Sequence, residues 1–477
     1  MAARGITLGI DLGTTSVKAA LLGAAPDDPS GFEVLASCAR AARAEAAAES
    51  VVAGPQVREQ DVSRILQALN ECLAAFPWQL LRSVVGIGVS GQMHGVVFWK
   101  TGQGCEWTEG GISPVLAPGA VSHLITWQDG RCSSEFLASL PQPKSHLSVA
   151  TGFGCATIFW LLKNCPEFLK PYDAAGTVHD YLVAMLCGLP RPLMSDQNAA
   201  SWGYFNTQSQ SWNVEILRSS GFPVHLLPDI AKPGSVAGRT TRVWFEIPKG
   251  TKVGVALGDL QASVYSCMAQ RTDAVLNIST SVQLAASMPS GFQPAQTPDP
   301  AAPVAYFPYF DGTYLGVAAS LNGGNVLAMF VHMLIQWTAD LGLEVEESTV
   351  YSRIIQAAMQ QTDTHLTITP TVLGERHLPD QLASVTRISP DLSLGHVTRA
   401  LCRGIVQNLL SMLPVRQLQE WGVQRVVGSG SALSRNEVLK QEVQRAFPLP
   451  MFFGQDVDAA VGAALVMLQR NLSQKES

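Results

Sequence analysis

One short pattern occurs twice in this chain, and that recurrence constrains the fold more than any other feature. Ile6, Leu8 and Ile10 alternate with small or polar residues, residues 11–16 form a polar turn, and residues 17–22 return as a second apolar run. This is the signature of a β-hairpin. Far downstream, Ser279-Thr280-Ser281-Val282-Gln283-Leu284-Ala285 lies beside Thr14-Thr15-Ser16-Val17-Lys18-Ala19-Ala20, again between apolar runs, at 275–278 and 282–286. A repeated hairpin predicts a duplicated architecture of two related domains. A chance match of small hydroxyl residues is the alternative.

Elsewhere the apolar period lengthens to that of helices. Asp61 is positioned to N-cap a helix with Val62, Ile65, Leu66, Leu69 and Leu73 on its apolar face, and residues 84–89 follow as a buried strand. In the second half, Val397, Leu401, Ile405, Leu409 and Leu413 form one helical stripe. Val426-Val427 then runs into Gly428-Ser429-Gly430-Ser431, and the helix beyond has a capping-box pattern, Ser434 as N-cap with Glu437 three residues on. Strand, turn and helix in both halves predict an α/β protein. Residues 101–120 and 289–303, rich in Gly or Pro, read as loops. The Ala-rich residues 36–53 are open between a helix, by propensity, and an edge strand with a loop. With 477 residues, 47% of them hydrophobic, the chain is too long for one ordinary domain and can fill two cores. The expected division is 1–250 and 251–477, with the boundary near Gly250.

Composition removes several function classes. Lys and Arg number 32 against 38 Asp and Glu, and no basic run occurs, so nucleic acid is a poor partner. Nine cysteines, none spaced C-x-x-C, read as reduced thiols rather than as disulfides or a zinc site. No apolar run approaches the ~20 residues that span a bilayer, and the first apolar stretch is broken at Asp11; a soluble, cytoplasmic protein is expected, with no membrane association and no obligate protein partner. Gly428 to Ser431 imitates a dinucleotide turn, but Leu433 stands where its third glycine would be. No G-x-S-x-G elbow is present either.

Five segments carry possible chemistry. In the turn Asp11-Leu12-Gly13-Thr14-Thr15-Ser16, backbone N–H groups, hydroxyls and Lys18 suit phosphate oxygens, and Asp11 suits a water-bridged Mg²⁺; an ordinary hairpin turn is equally compatible. Asp259, in Gly258-Asp259-Leu260-Gln261, is either a general base toward a hydroxyl or a helix N-cap. The Gly-rich turn at Gly428 to Ser431 lets a ligand approach the backbone. Gln92-Met93-His94-Gly95 follows a strand, where a lone His is more often structural. Trp127, Asp129 and Arg131 offer an aromatic wall, an acceptor and a guanidinium to a polyhydroxylated ligand, or else a local Asp–Arg pair.

Taken in order, these motifs resemble the FGGY carbohydrate kinases. The resemblance runs nearly the full length, from Gly9-Ile10-Asp11-Leu12-Gly13-Thr14-Thr15 to Asp458-Ala459-Ala460-Val461-Gly462-Ala463-Ala464. It implies an α/β fold of two actin-like, ribonuclease H-like ATPase domains, of the hexokinase–actin superfamily, with the active site in the interdomain cleft. It implies ATP and Mg²⁺. Gly13, Thr14, Thr15 and Lys18 would form a first phosphate hairpin with Asp11 toward Mg²⁺, and Thr280 and Ser281 would belong to a second. Gly323, Gly324, Asn325, Gly430, Ser431 and Asn436 would surround adenosine. Gln92, His94, Trp127, Asp129, Arg131 and Gln261 would line the sugar side, with Asp259 as catalytic base. The implied substrate is a ketose phosphorylated on a primary hydroxyl, sedoheptulose ahead of xylulose. Three positions depart from the family pattern: Ser279 replaces a glycine, Thr157 a lysine and Arg403 an acidic residue. An actin- or chaperone-like ATPase and a non-catalytic sugar sensor are the rival readings.

Overall fold

Both repeats fold as hairpins, and each hairpin nucleates a sheet. The computed structural model describes residues 5–25, 31–46, 56–110, 113–453 and 458–470. The first sheet is built from β1 (Ile6–Leu12), β2 (Ser16–Ala24), β3 (Phe32–Ala41), β4 (Val84–Gly91), β5 (Val236–Arg239), β6 (Lys252–Gly254) and β7 (Leu257–Gly258). Its order is β5-β6-β4-β1-β2-β3, with β7 also on β4. β1, β2 and β3 pair antiparallel, whereas β4 runs parallel to β1 and β6 parallel to β4. The second sheet comprises β8 (Asp273–Ile278), β9 (Val282–Ser287), β10 (Val304–Pro308), β11 (Tyr314–Ser320), β12 (Arg425–Ser429) and β13 (Met451–Phe453), in the order β10-β11-β9-β8-β12-β13. Here too the hairpin and its next strand are antiparallel, and β12 and β13 are parallel to β8 and to each other. The series β3-β2-β1-β4-β6 and β11-β9-β8-β12-β13 therefore share one set of strand directions, as duplication requires.

The helices that matter here are α1 (Val62–Ala74), α2 (Asp196–Ala200), α3 (Asp259–Cys267), α4 (Gly324–Asp340), α5 (Leu394–Met412) and α6 (Ala459–Arg470). Asp61 caps α1 by accepting from Ser63 N at 2.7 Å, and Val62, Ile65, Leu66, Leu69 and Leu73 are buried. α5 buries Leu401, Ile405 and Leu409 of the expected stripe in the core of the second sheet. A third apolar core, with Phe98, Phe159, Trp202 and Tyr204, fills a lobe inserted between β4 and β5.

Several expectations change. The Ala-rich segment is an edge strand through Ala41, not a helix, because cross-strand pairing with β2 overrides alanine's helix propensity; its residues 47–53 lie outside the described residues. Within 101–120, Cys105–Gly110 and Ser113–Pro118 form a hairpin instead of a loop. Cys105 and Trp107 pack with Leu116 on the first core at strand period, and Asn70 Nδ2 of α1 donates to Leu116 O at 3.1 Å. Residues 289–303 hold no helix or strand. Ser434 is not an N-cap: it lies inside a short helix, Ser431–Arg435, with its hydroxyl on Ser431 O, and Asn436 caps the following helix by accepting from Leu439 N. The first sheet runs past Gly250 to Gly258, and the second begins at Asp273. α6, from the far end of the chain, returns to lie on β1, β2, β4 and α3.

Candidate active site

The C-terminal ends of β1 and β7 and the second hairpin converge on one cavity of about 220 Å³. From the first sheet and its helices come Asp11, Lys18, Asp259, Ser263 and Ala459; from the second come Val275, Asn277, Gln283 and Ala285. β1 places Asp11 directly across from Lys18 of β2. Asp11 is buried and accepts from Ser90 Oγ of β4 at 3.3 Å. Asp259 is the first residue of α3, and its Oδ1 accepts from Leu260 N at 2.7 Å; Gly258 holds the N-cap position, so Asp259 is not serving as the cap.

The electrostatics are those of crowded carboxylates. Asp11 is raised from 3.8 to about 7, first by burial and then by the negative charges of Asp259 and Asp458, against the opposing pull of Lys18 and Ser90. Burial lifts Asp259 to about 6, moderated by the Leu260 N–H. Lys18 Nζ stands 3.8 Å from Asp458 Oδ2. The same Asp458 caps α6, accepting from Ala460 N and Val461 N.

A second set gathers around the first hairpin turn. Thr14 Oγ1 accepts from Trp127 Nε1 (3.0 Å) and donates to Gln92 Oε1 (3.5 Å), while Gln60 Nε2 donates to Thr14 O (2.7 Å). Gly13 has a Ser16 carbonyl 2.8 Å from where a Cβ would stand, and Thr15 O accepts from Ala42 N. Trp127 is 39% exposed, leaving its indole as an open wall. His94 sits nearby in a left-handed conformation (φ 74), stacked on Phe153. Its Nδ1 lies 2.8 Å from Ser201 O, an acceptor, so the proton is on Nδ1. Burial lowers its pKa to about 4, which keeps the ring neutral.

Asp129 and Arg131 stand differently. Asp129 is fully buried and accepts from Arg58 N (2.8 Å), Arg131 N, Nε (2.7 Å) and Nη2, while Arg131 Nη2 also reaches Glu59 Oε1 at 2.7 Å. The geometry is that of the local ion pair, extended by Glu59. Gln261 is also fully buried, its Nε2 on Pro308 O.

Around the second hairpin, Gly324 N donates to Ser279 O (2.8 Å) and Asn325 N to Thr280 O (3.1 Å). A Cβ on Gly323 would fall 2.7 Å from the Ser281 carbonyl carbon, and one on Gly430 would fall 2.3 Å from Ile278 O. Ser431 N donates to Ser279 Oγ at 3.3 Å. Gly323, Gly324, Asn325, Gly430 and Ser431 thus surround the turn carrying Thr280 and Ser281. Asn436 does not join them: its side chain is buried and engaged in capping, which corrects the expectation that it faces a nucleotide.

Residues 6–105 and 117–265 match the N-terminal domain of the FGGY family of carbohydrate kinases. The chain belongs to that family. Over 478 residues it is 90% identical to a sedoheptulokinase of Homo sapiens, and over 477 residues 84% identical to one of Mus musculus, the whole of each chain being covered. Among solved structures, a xylulose kinase from Rhodospirillum rubrum superposes with a TM-score of 0.76 at 19% identity, covering 97% of this chain and 89% of that one. Plasmodium falciparum glycerol kinase with ADP superposes at 0.74 and 17% identity, covering 98% and 91%. At such identities the likeness establishes the two-domain, actin-like fold of the FGGY kinases alone.

Sequence reasoning missed Asn277, Gln283, Ser90, Ser263 and the capping role of Asp458. A signal existed for Gln283, which falls opposite Lys18 when the two hairpins are laid side by side, and for Asp458, which begins the Ala-rich motif of α6.

Proposed function

We propose that this carbohydrate kinase transfers the γ-phosphoryl group of ATP to the terminal primary hydroxyl of sedoheptulose, giving sedoheptulose 7-phosphate and ADP. The full-length relatives at 90% and 84% identity that bear the name sedoheptulokinase support the substrate. The observation that carries the reaction is the single cavity in which Asp11, Lys18 and Asp259 of one domain face Asn277 and Gln283 of the other.

Phosphoryl transfer asks the protein for alignment, charge neutralisation and a proton acceptor. In our reading the sugar oxygen attacks phosphorus, its proton passes to Asp259, the bond from phosphorus to the bridging oxygen breaks, and ADP leaves. A base held near pKa 6 is mostly ionised at neutral pH yet still basic enough to accept that proton. Gly13, Thr14, Thr15 and Lys18 bind phosphate oxygens from one side, and Thr280 and Ser281 from the other. Gly323, Gly324, Asn325, Gly430 and Ser431 take the adenosine. Gln92, His94 and Trp127 line the sugar side, and Asp129 and Arg131 hold that wall in place through their ion pair.

Mg²⁺ fits this donor set. Asp11 is a hard oxygen ligand whose charge is opposed by two neighbouring carboxylates, and a divalent cation relieves that repulsion. Asp11 would hold it through water, and when bound it supplies neutralisation of phosphate charge. Nine free cysteines suit a reducing compartment such as the cytoplasm, and no described helix is long and apolar enough to cross a membrane.

The test is ADP release by purified protein offered sedoheptulose, xylulose, ribulose and glycerol, with Asp259→Asn beside it. Sedoheptulose is expected to give the highest kcat/KM, and Asp259→Asn to lose about 10²–10⁴-fold in kcat. A clear preference for xylulose, the substrate named for relatives 26% and 25% identical over 86% of this chain, would overturn the substrate.

A further inference from the structure

We propose that Gln197 and Gln261 form a two-amide clamp that sets the backbone carrying Asp259 and ties its position to the second domain. Both act as positioning residues, and the inference rests on the reading of Asp259 as the base. The main chain leading to Asp259 is gripped twice from α2: Asn198 Nδ2 donates to Ala256 O and Gly258 N donates to Gln197 Oε1, each at 3.3 Å. Two residues beyond Asp259, Gln261 Nε2 donates to Pro308 O at 3.1 Å, at the end of β10 in the second sheet. Both glutamines are completely buried.

Each of these amides is left half-bonded. Gln197 Nε2, a donor, and Gln261 Oε1, an acceptor, are buried without a protein partner. Both belong to side chains that reach Gly258: Gln197 accepts from its N–H, and a Cβ built on it would stand 2.2 Å from Gln261 Oε1. Leaving such atoms unpaired is costly. The two atoms, a donor and an acceptor, belong to side chains that both reach Gly258 and are not bonded to each other directly, so one bridging water is what joins them. That closes a chain from Gly258 N–H through Gln197 and Gln261 to Pro308 O. Glycine at 258 is what leaves room for it, since any side chain would occupy the place of Gln261 Oε1. The chain joins the strand end that presents the base to the opposite domain. The chain therefore ties residues 258–261 to Pro308 of the second sheet and sets the Asp259 carboxylate relative to the wall that it faces.

The experiment uses the full-length protein with Gln197→Met and Gln261→Met, singly and together, and Asp259→Asn as reference. Methionine keeps the length and flexibility of the side chain and removes both amide ends. Steady-state kinetics with ketose and ATP and thermal unfolding are measured on each. The expected result is a fall in kcat of about tenfold or more in each single variant, since misplacing a reacting group by about 1 Å can cost about 100-fold. KM for both substrates stays within about twofold, and the double variant is no worse than the weaker single one because both break the same chain. Wild-type kcat in the single variants, losses that multiply in the double, or KM and Tm moving together with kcat would overturn the clamp. If a methionine variant is too unstable to assay, Gln261→Glu replaces it: it keeps the acceptor toward Gln197, removes the donor to Pro308, and is expected to lose kcat alike. Near-normal turnover in Asp259→Asn would instead sink the base assignment, whereas an inactive Asp259→Asn beside fully active methionine variants would sink the clamp alone.

Discussion

Replacing Gly9 with alanine is expected to weaken the fold and the active site together. β1 and α6 meet backbone to backbone: a Cβ on Gly9 would lie 1.8 Å from Ala460 O and 2.9 Å from Ala464 Cβ. The neighbouring contacts are as close, Gly88 toward Ala463 O at 2.0 Å and Gly462 toward Ala262 O at 1.8 Å, so the helix cannot slide sideways to make room. Close carbon–oxygen contacts settle near about 3.3 Å, so α6 must withdraw by about 1.5 Å. Overpacking of this kind costs about 1–3 kcal/mol, and the upper end is expected where the obstruction is main chain rather than a flexible side chain. The functional cost follows from what α6 carries. Its cap, Asp458, stands 3.8 Å from Lys18 and bears on the charge of Asp11, and Ala459 lines the cavity. Displacing that wall by about 1 Å or more is expected to lower kcat by on the order of 100-fold. Denaturant unfolding and ADP release on the same preparation measure the two effects. A Gly9→Ala protein within about 0.5 kcal/mol of wild type and with unchanged kcat would refute the packing argument, because surface-like tolerance of that size is incompatible with main-chain contact.

Three further outcomes are expected. With sugar, ATP and magnesium saturating, the proposed base role of Asp259 predicts that kcat falls about tenfold per pH unit below about 6, where its raised carboxyl is protonated; a rate flat down to pH 5 would contradict this. Lys18→Met raises KM for ATP by about tenfold and leaves sugar affinity, measured by calorimetry, nearly unchanged, because its neighbours are Asp11 and Asp458 rather than the Trp127 wall. Asp129→Asn lowers unfolding stability by about 2–4 kcal/mol, because it leaves buried Arg131 with only Glu59 as a carboxylate partner; a loss under about 0.5 kcal/mol in urea titration would argue that the pair is dispensable to the fold.

What the sequence made legible follows from where periodicity is local. The hairpins, α1, β4 and α5 announce themselves because burial on one face leaves a repeating trace within a single element. The pairing of β3 with β2 leaves no such trace in an alanine-rich segment, because this edge strand is mostly exposed and buries no periodic face. The hairpin at Cys105–Gly110 was masked by glycine and proline at its flanks, although its alternation of Cys105 and Trp107 was there to be seen. Capping was misassigned because Ser434 and Asn436 both satisfy the local rule, and only the break between two helices selects the asparagine. At the site, Asp11, Lys18 and Asp259 were legible because turn chemistry and strand ends mark them. Gln261 was legible as a neighbour of Asp259 but not as a buried bridge to Pro308, since that contact spans the two sheets.

The register of the two hairpins explains why the duplicated folds are not interchangeable. Asp11 faces Lys18 across the first hairpin, and the corresponding pair in the second is Asn277 and Gln283. The same lattice of strands thus presents a carboxylate and an ammonium on one side of the cavity and two neutral amides on the other. A carboxylate at 277 would bring one more negative charge toward Asp11, which burial first, and then the charges of Asp259 and Asp458, already lift to about 7. An amide adds no charge. Asn277 Oδ1 accepts from Ser279 Oγ, which leaves its Nδ2 as the donor, and Gly430 passes so close that a Cβ there would stand 2.4 Å from that same Oδ1. The second hairpin therefore meets the cavity with uncharged amides, Asn277 held by Ser279 and by the loop behind it, and the charged groups of the pair fall to the first hairpin, beside Asp259.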